Sequence, residues 1–483
     1  MKQAFLGFAI GFAALAGVAV PASAQASLQA LGTTFDFGYG VSRDASTVVG
    51  LNLGTSAGFK WDAVNGYVAI GGTPIQIRVS GDGSRISGSE VFGGFSTAAY
   101  WTGGAWTSIG GLGGSSGTDV SSAWGISDDG QTIVGLGWIN AGSAHAFRWT
   151  QSGGIVDLGS SGASSRANAV SGDGTIVGGW DDSPINGTRR PAYWTTPGAP
   201  IVLSANPGAV EGASYDGKVL VGSIGQKVMR WTQQNGPYSL GSFLPSDQAS
   251  SADVDDLGTT LVGYSGPFGP ISVRRAVIWR PGLGMVKLQD LLTAQGVNTT
   301  GWTLWSAIGC SGDGNTIAGY ASTPTGAKAF VAKLATGPGA GTQYCTAKTN
   351  SLGCTPVIVS TGLASASAGS GFTIGAADVL NNKSGLFFYG INGQQAGSFQ
   401  GGTLCIKPPI KRTSIQGSGG SAAPTADCTG TYGIDFNAYI ATGTDPNLVA
   451  GQSVDGQFWS RDPGFTAPNN TGLTAGIHFV IQP

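Results

Sequence analysis

The order of apolar and polar positions repeats along most of the chain. In the clearest unit, Ser122 to Gly159, small and apolar residues end in Ser and an Asp-Gly pair follows. A short apolar run ending in Gly, a variable loop and an apolar run ending in Trp complete the unit. A period near 40 residues with several short strands is typical of a propeller or a solenoid. The pattern therefore predicts an all-β repeat array.

Two marker residues identify seven copies of this unit. Six copies carry the Trp, and the seventh has Ala329-Phe330-Val331-Ala332 in its place. The Gly that ends the second strand occurs at Gly50, Gly88, Gly135, Gly178, Gly222, Gly263 and Gly319. The Trp that ends the third strand occurs at Trp61, Trp101, Trp149, Trp194, Trp231 and Trp279. The fixed position of the Trp predicts packing between units more than a sugar-stacking platform.

The Asp-Gly pair predicts a tight hairpin between the first two strands, with positive φ at both residues. The first copy has Asp44-Ala45 instead, and the sixth has Leu257-Gly258. Ser-x-Asp-Gly is also similar to the Asp-box turns of sialidase propellers and to calcium loops. We favour the hairpin, because Gly follows Asp directly and the rest of an Asp box is missing. A fourth strand such as Ile155 to Gly159 makes each unit a four-stranded blade.

The two ends of the array predict that it closes. The seventh copy has no convincing fourth strand, whereas Ser27 to Gly32 is similar to Ile155 to Gly159. We therefore expect Leu28 to Leu31 to pair with Ala329 to Lys333, which would remove the open edges. A solenoid would need polar capping repeats, and the sequence shows none. The prediction is a seven-bladed β-propeller over residues 27–334.

A different pattern begins after the Gly/Pro linker at residues 335–342. Residues 343–483 contain short alternating runs separated by Gly, Ser and Pro, which predicts a β-sandwich. The runs are Phe372 to Ile374, Leu386 to Gly390, Thr403 to Ile406, Tyr432 to Phe436 and Ile477 to Ile481.

The cysteines fall into two groups. Cys310 replaces a core residue of the repeat and is expected to be a buried free thiol. Cys345, Cys354, Cys405 and Cys428 allow three connectivities, and sequence proximity favours Cys345–Cys354 with Cys405–Cys428. A metal site is the alternative, but the spacing lacks C-x-x-C pairs and His478 is the only nearby histidine.

Charge and the N-terminus bear on location and partners. Net charge is −2 and charged residues make up 10% of the chain, which argues against nucleic acid or an anionic membrane as partner. Ala4 to Val20 is apolar and is followed by Pro21-Ala22-Ser23-Ala24. This predicts a signal peptide over residues 1–24, cleaved after Ala24, rather than a membrane anchor. We expect a secreted monomer with no membrane span and no cofactor.

The loops between second and third strands differ most between copies, and such loops carry function on a rigid scaffold. In a four-stranded blade they lie on one face with the connections between units. They predict an aromatic and charged rim suited to carbohydrate or protein, with plain solvated loops as the alternative. The candidate residues are Trp138, Trp180, Asp181, Asp182, Arg189, Tyr264, Arg274 and Tyr320.

No catalytic motif emerges. Two histidines make a Ser-His-Asp hydrolase improbable, and Glu90 and Asp181-Asp182 define no glycosidase geometry. The favoured hypothesis is a non-catalytic module that binds an extracellular protein or glycan. The alternatives are a carbohydrate-binding or glycoside-hydrolysing propeller, and a surface protein whose C-terminal module serves attachment.

The segment His145-Ala146-Phe147-Arg148-Trp149, with V-S-x-D-G before it and D-L-G after it in the repeat, resembles the secreted bacterial HAF family. The resemblance covers about residues 27–334 and implies an extracellular, propeller-like repeat array without an agreed activity. The Y-C-T-A-K…N-S-L-G-C and G-L-F-F-Y-G segments resemble a C-terminal module of secreted bacterial proteins. That module has no established function.

Overall fold

The computed structural model describes residues 24–32, 35–195 and 197–483. The predicted signal peptide, apart from Ala24, lies outside these residues. Strands dominate the described chain, in agreement with the all-β prediction. Its two short helices, α1 (Leu288–Ala294) and α2 (Phe436–Ala441), lack the length that a membrane crossing requires.

The repeat region folds into four-stranded antiparallel sheets, which we number by repeat copy. Sheet 1 contains β2 (Asp36–Val41), β3 (Thr47–Asn52), β4 (Ala57–Asp62) and β5 (Gly66–Gly71). Sheet 2 contains β6 (Arg78–Val79), β7 (Ile86–Phe92), β8 (Phe95–Thr102) and β9 (Ala105–Gly110). Sheet 3 contains β10 (Ser121–Ile126), β11 (Thr132–Asn140), β12 (Ser143–Thr150) and β13 (Gly154–Asp157). Sheet 4 contains β14 (Ser165–Val170), β15 (Val177–Asp182), β16 (Arg189–Trp194) and β17 (Ile201–Val202).

The remaining repeats follow the same plan. Sheet 5 contains β18 (Gly208–Ala213), β19 (Val219–Ile224), β20 (Lys227–Thr232) and β21 (Gly236–Gly241). Sheet 6 contains β22 (Gln248–Val254), β23 (Leu261–Gly266), β24 (Arg275–Arg280) and β25 (Gly284–Lys287), with a 3-10 turn at Ile271–Val273. Sheet 7 contains β26 (Thr303–Cys310), β27 (Thr316–Thr323), β28 (Gly326–Lys333) and, from the start of the chain, β1 (Ser27–Leu31).

The first strands of these sheets contact one another in a cycle. Each is in contact with the first strand of the next sheet, and β26 of sheet 7 contacts β2 of sheet 1. This arrangement of meandering sheets around a common axis is a β-propeller. We call the face with the first turn of each sheet (a–b) and its third turn (c–d) the turn face. The opposite face, with the b–c loops and the connections between sheets, is the loop face.

The predicted pairing of the N-terminal strand is confirmed. Strand β1 runs antiparallel to β28, with Leu28 opposite Ala332 and Leu31 opposite Ala329. The first strand of the described chain therefore lies at the outer edge of the last repeat. It occupies the place that a fourth strand holds in the other sheets.

The a–b turns differ from the prediction in one respect. In sheet 2 the amide of Gly83 donates to the carbonyl of Ser80 at 3.0 Å, and the amide of Ser80 donates to Arg85 at 2.8 Å. Only the Gly of the pair has positive φ, 73° at Gly83, so positive φ at both residues was wrong. The Asp side chain explains the difference: Asp82 accepts the Ser80 hydroxyl at 2.8 Å and the Ser84 amide at 3.0 Å. These bonds stabilise a longer turn in which Asp keeps ordinary backbone geometry.

The marker residues build the cores between sheets. Gly135 lies opposite Phe147 across β11 and β12, and a Cβ on Gly135 would lie 2.9 Å from the Phe147 ring. Glycine therefore makes room for a fully buried aromatic ring on the partner strand. The Trp residues of sheets 3 to 6 are buried, and those of sheets 1 and 2 pack at the edges of such cores. The packing interpretation of the Trp residues is confirmed.

The C-terminal region contains two further antiparallel sheets and a hairpin. The larger sheet contains β29 (Thr342–Tyr344), β32 (Ser384–Gly390), β35 (Lys411–Arg412), β36 (Gln416–Gly417), β38 (Ser453–Arg461), β39 (Thr471–Leu473) and β40 (Gly476–Val480). The smaller sheet contains β30 (Val357–Thr361), β31 (Thr373–Val379) and β37 (Gly430–Asp435). The hairpin pairs β33 (Gln394–Phe399) with β34 (Gly402–Ile406).

These two sheets share one apolar core. Ile374 of the smaller sheet and Phe387, Phe458 and Phe479 of the larger sheet belong to the same buried cluster. Phe436 of α2 packs into it, 5.2 Å from Phe479 between ring centroids. The helix begins at Asp435, whose carboxylate accepts the amide of Ala438, as is typical of an N-cap.

All four C-terminal cysteines form disulfides, but the pairing favoured by proximity was wrong. The bonds are Cys345–Cys405 and Cys354–Cys428. Cys354 and Cys428 share a buried apolar cluster with Leu380, which draws them together across 74 residues. Two disulfides indicate an oxidising extracellular or periplasmic location. Cys310 is a buried free thiol, as predicted, and burial raises its pKa.

The C-terminal region packs against sheets 5 and 6 on the turn face. Arg230 of β20 is fully buried and donates to both carboxylate oxygens of Asp378, at 2.8 and 3.0 Å. Asn235 accepts the amide of Cys428 at 2.9 Å. The backbones of sheet 6 and the C-terminal region also approach each other closely. A Cβ on Gly282 would lie only 2.7 Å from the Cα of Gly375.

Candidate functional site

A β-bulge recurs at one position of the first strand. In every sheet except sheet 2, the register between first and second strands shifts across one residue. The bulge residues are Tyr39, Trp124, Asn168, Glu211, Ala252 and Ile308. The next position is glycine or alanine in most sheets, so the first strands approach closely. A Cβ on Gly309, for example, would lie 2.9 Å from the Cα of Gly40.

The axis encloses a small polar cavity of about 60 Å³. Its charged lining consists of Arg43, Arg78, Asp128, Glu211 and Asp253, supplied by five different sheets. Arg78 donates to the carbonyl of Tyr39 at 2.7 Å. A cavity of this size and polarity suits a few water molecules and is too small for a drug-sized ligand. The axis itself is therefore a packed polar core.

Arg43 closes the axis at the turn face. Its guanidinium donates to the carbonyls of Val254 at 2.8 Å and Ala213 at 3.2 Å, and to Asp128 at 3.3 Å. Burial alone would lower the pKa of Arg43, but the carboxylates of Asp253, Asp128 and Asp256 reverse this and raise it. One charged side chain thus ties sheet 1 to sheets 3, 5 and 6.

Towards the loop face, aromatic rings and arginines alternate. The Arg166 guanidinium lies 3.6 Å from the centroid of Trp124 and 5.4 Å from that of Trp180. The Arg189 guanidinium lies 4.3 Å from the same Trp180 ring. We call Trp124, Arg166, Trp180 and Arg189 the ladder. It starts at the bulge of sheet 3 and ends at Arg189, the first residue of β16 after the b–c loop of sheet 4.

The carboxylates beside the ladder are poorly paired. Burial raises the pKa of Glu211, although Arg166 and Arg78 act in the opposite direction. Burial also raises the pKa of Asp182, against the effect of Arg189. Burial and the charge of Arg189 lower the pKa of Arg166 to about 10, although Glu211 raises it. Among the described contacts, neither carboxylate hydrogen-bonds to Arg166 or Arg189.

A second aromatic group joins sheets 1, 6 and 7. Phe37 and Tyr320 lie 4.5 Å apart between ring centroids, and Arg274 lies 4.1 Å from the centroid of Tyr264. Burial raises the pKa of Tyr320, and the Ser306 hydroxyl and Arg274 oppose this while Tyr264 adds to it. Arg274 and Tyr264 therefore lie close to Tyr320.

The structure brings the predicted residues together only in part. Trp180, Asp182 and Arg189 form one group, and Tyr264, Arg274 and Tyr320 form another, whereas no described contact joins Trp138 to either. The expected exposure was wrong for three residues: Trp180 is 3% exposed, Asp181 0% and Tyr320 6%.

Each of the three is buried for a specific reason. Trp180 is the central ring of the ladder, with an arginine over it from each of two elements. Asp181 accepts hydrogen bonds from Ser160 at 2.7 Å and from Arg190 at 2.8 Å, so it organises the loop instead of facing solvent. Tyr320 packs on Phe37.

Sequence reasoning missed Trp124, Arg166, Glu211, Tyr39 and Arg78. They lie in first strands, where most copies have small residues, and not in the loops. The available signal was the disagreement between copies: Tyr39, Trp124 and Glu211 occupy one repeat position that elsewhere holds Asn, Ala or Ile. Variation between copies in the strand nearest the axis therefore indicates candidate residues as well as the variable loops do.

Comparisons with known proteins find only distant structural similarities. A scan of protein families and a search of curated proteins find no match for this chain. An oligogalacturonate lyase from Vibrio parahaemolyticus is 9% identical, with 65% of this chain and 99% of that chain covered and a TM-score of 0.40. The β-propeller domain of the Trilobed protease from Pyrococcus furiosus is 10% identical, with 62% and 95% covered and a TM-score of 0.39. TolB from Acinetobacter baumannii is 15% identical, with 44% and 52% covered and a TM-score of 0.31. Identities and TM-scores this low carry no argument about function.

Proposed function

We propose that this chain is a secreted, non-catalytic binding module that holds an extracellular partner on the loop face of a propeller. The supporting observation is an uneven distribution of exposed apolar side chains. Among the described residues of the turn face, the large apolar side chains with more than a third of their surface exposed are Val64, Tyr215 and Leu257. On the loop face they are Phe35, Leu53, Ile75, Val91, Phe95, Ile185, Phe243, Leu244, Phe268 and Ile271.

This distribution favours a docking surface. Exposed apolar groups cost free energy in water, so a concentration of them on one face marks an interaction site. Ile185 is 92% exposed and Phe268 is 88% exposed, each at the tip of a b–c loop that also supplies an arginine to the candidate site. The C-terminal region packs against the turn face at sheets 5 and 6. The whole loop face therefore remains available to a partner, whereas the turn face is partly covered.

The finer architecture belongs to the same proposal. Seven four-stranded sheets whose first strands contact in a cycle support a closed, seven-bladed propeller over residues 27–334. A shared core between two C-terminal sheets supports a β-sandwich over residues 343–483. The apolar segment before Ala24 and the two disulfides support export. The repeat motif supports kinship with HAF proteins.

A carbohydrate-active propeller is the second candidate, favoured by the aromatic and charged residues of the ladder. Two observations place it second. The Trp180 ring is covered by arginines, so it offers no open face for stacking on a sugar. The two histidines pair with Asp157 and Asp455, in sheet 3 and in the C-terminal region, away from Glu211.

The test compares the two faces of the whole chain. Immobilised wild-type protein is exposed to the extracellular proteins of the producing cells and, separately, to a glycan array. We expect a protein partner whose binding is lost in the Ile185→Ser, Phe268→Ser double variant. The matched control is Val64→Ser, Leu257→Ser on the turn face, which should bind as the wild type does.

The two candidates predict different results. A glycan bound through the same loops would favour the carbohydrate candidate. A partner that the loop-face and turn-face variants hold equally well would refute the proposed surface. Thermal unfolding of each variant checks that the fold is intact.

A further inference from the structure

The ladder covers the flat faces of its arginines and leaves their edges unbonded. The Nε of Arg166 donates to Asn168 at 2.7 Å, but its two terminal nitrogens have no acceptor among the described residues. The exposed Arg189 likewise has no side-chain hydrogen bond among them. Arg166 is partly buried and Arg189 is exposed. A guanidinium held by its face, with a free edge, is arranged to bind a planar oxyanion.

Both arginines lie against one indole ring before any ligand arrives. Arg166 and Trp180 are direct cross-strand partners on β14 and β15, and Arg189 pairs with Asp182 on the next strand. Both guanidinium groups lie within 5.4 Å of one indole centroid. A site whose donors are already held in place loses less conformational entropy on binding.

We propose that Arg166 and Arg189 bind the carboxylates of an acidic and apolar peptide segment in the partner protein. This inference rests on the proposed function and specifies what the loop face recognises. The segment places acidic side chains on the ladder edges and apolar side chains against the neighbouring loop tips. Arg274 is a further donor of the same kind. It lies over Tyr264 and also has no side-chain hydrogen bond among the described residues.

The surroundings favour a peptide over an acidic glycan. Ile185 lies in the loop that leads to Arg189 at the start of β16, and Phe268 lies in the same loop as Arg274. An aliphatic tip such as Ile185 complements apolar side chains and leaves sugar hydroxyls without hydrogen bonds. Arginine and aromatic residues next to exposed apolar groups are also the composition of protein interfaces.

Glu211 gives the proposal a distinctive consequence. Its carboxylate lies near Arg166 and Arg78 and would repel an incoming acidic side chain. Removing this charge should therefore strengthen binding, whereas removing Arg189 should weaken it. A purely structural role for the ladder predicts no such opposite pair of effects.

The experiment uses a labelled synthetic peptide of alternating Glu and Leu, with a Gln and Leu peptide as the uncharged control. Binding to the full chain is followed by fluorescence anisotropy. We expect about tenfold weaker binding of the Glu peptide by Arg189→Gln and a severalfold gain by Glu211→Gln. Binding should also weaken as salt is added. The control variant is Arg85→Gln, because Arg85 lies 4.6 Å from the Tyr100 ring near the turn face.

Several results would overturn the inference. They are equal binding of the Glu and Gln peptides, unchanged binding by Arg189→Gln, or preference for polygalacturonate over the Glu peptide. If the ladder variants bind normally while Ile185→Ser, Phe268→Ser loses the protein partner, the inference fails and the proposed function stands. If that double variant keeps the partner, the proposed surface itself is refuted.

Discussion

Two groups of arginines, one at each face of the propeller, use the same side chain in opposite ways. Arg43 at the turn face donates to two carbonyls and a carboxylate. Arg230, also on that face, donates to Asp378, Tyr238 and Gly258. Arg166 and Arg189 at the loop face lie against aromatic rings and keep free donors. Arg43 and Arg230 use their donors to hold the turn face together, whereas Arg166 and Arg189 of the ladder leave donors available.

Asp82, in an a–b turn, and the two carboxylates beside the ladder differ in a related way. At the turn face, the Ser84 amide and the Ser84 and Ser80 hydroxyls lower the pKa of Asp82. At the loop face, burial raises the pKa of Glu211 and Asp182. Substitutions should therefore reduce stability most at the turn face, whereas those at the loop face should mainly change binding.

Arg230→Ala should cause the largest loss of stability. It would leave Asp378 without its partner in a buried interface, which costs about 3–5 kcal/mol. Arg148→Ala is the matched control, because Arg148 holds the same repeat position in sheet 3 with only two 3.3 Å contacts, to Thr132 and Gly174. Urea unfolding should show a loss of about 1 kcal/mol or less for the control. Equal losses would contradict the claim that the Asp378 contact stabilises the docked C-terminal region.

Arg43→Gln should cost less, about 1–3 kcal/mol, because several buried hydrogen bonds are lost but glutamine can replace one of them. Urea unfolding measures the loss, and anisotropy with the Glu and Leu peptide measures binding. We expect peptide binding to remain unchanged. Weaker binding by this variant in its folded state would show that the two faces are coupled through the axis.

Acid should reduce the contribution of the turn carboxylates. Because the folded pKa of Asp82 lies below its unfolded value near 3.9, its stabilisation is present above that pH and is lost as pH falls through the folded pKa. The difference in urea midpoint between wild type and Asp82→Asn should therefore shrink below about pH 4. A difference that stays constant from neutral to acid pH would rule out this account.

The smallest effect on stability is expected at the loop tips. Ile185→Ser and Phe268→Ser should each change the free energy of unfolding by no more than about 0.5 kcal/mol, since both side chains are almost fully exposed. Thermal unfolding provides the measurement. A large destabilisation would mean that these side chains pack in solution, and the contrast between the faces would weaken.

The repeat architecture could be predicted from the sequence because its determinants are local. Each Gly, Trp and Ser-x-Asp-Gly turn acts within one sheet or between neighbouring sheets. The similarity of Ser27 to Gly32 to a fourth strand was enough to place β1 beside β28. The Asp φ angle was predicted wrongly, because the Asp82 side chain stabilises a different turn from the two-residue hairpin that Asp-Gly usually indicates.

The candidate site and the disulfides could not be predicted in the same way. The ladder joins a bulge residue of sheet 3 to a strand pair of sheet 4, and no spacing in the sequence encodes that contact. Trp180 looked like a loop residue because it follows the marker Gly by two positions, yet β15 continues through it. Cys354 and Cys428 meet because the chain between them folds into a shared core.

The pairing of β1 with β28 also imposes an order on folding. About 300 residues separate the two strands, and the entropy of closing so long a loop must be overcome before their hydrogen bonds form. During synthesis, the earliest repeat strand waits unpaired until the last repeat is complete, with an exposed edge that other chains can join. A folding helper that masks this strand until the last repeat has formed would therefore protect the chain at its most vulnerable stage.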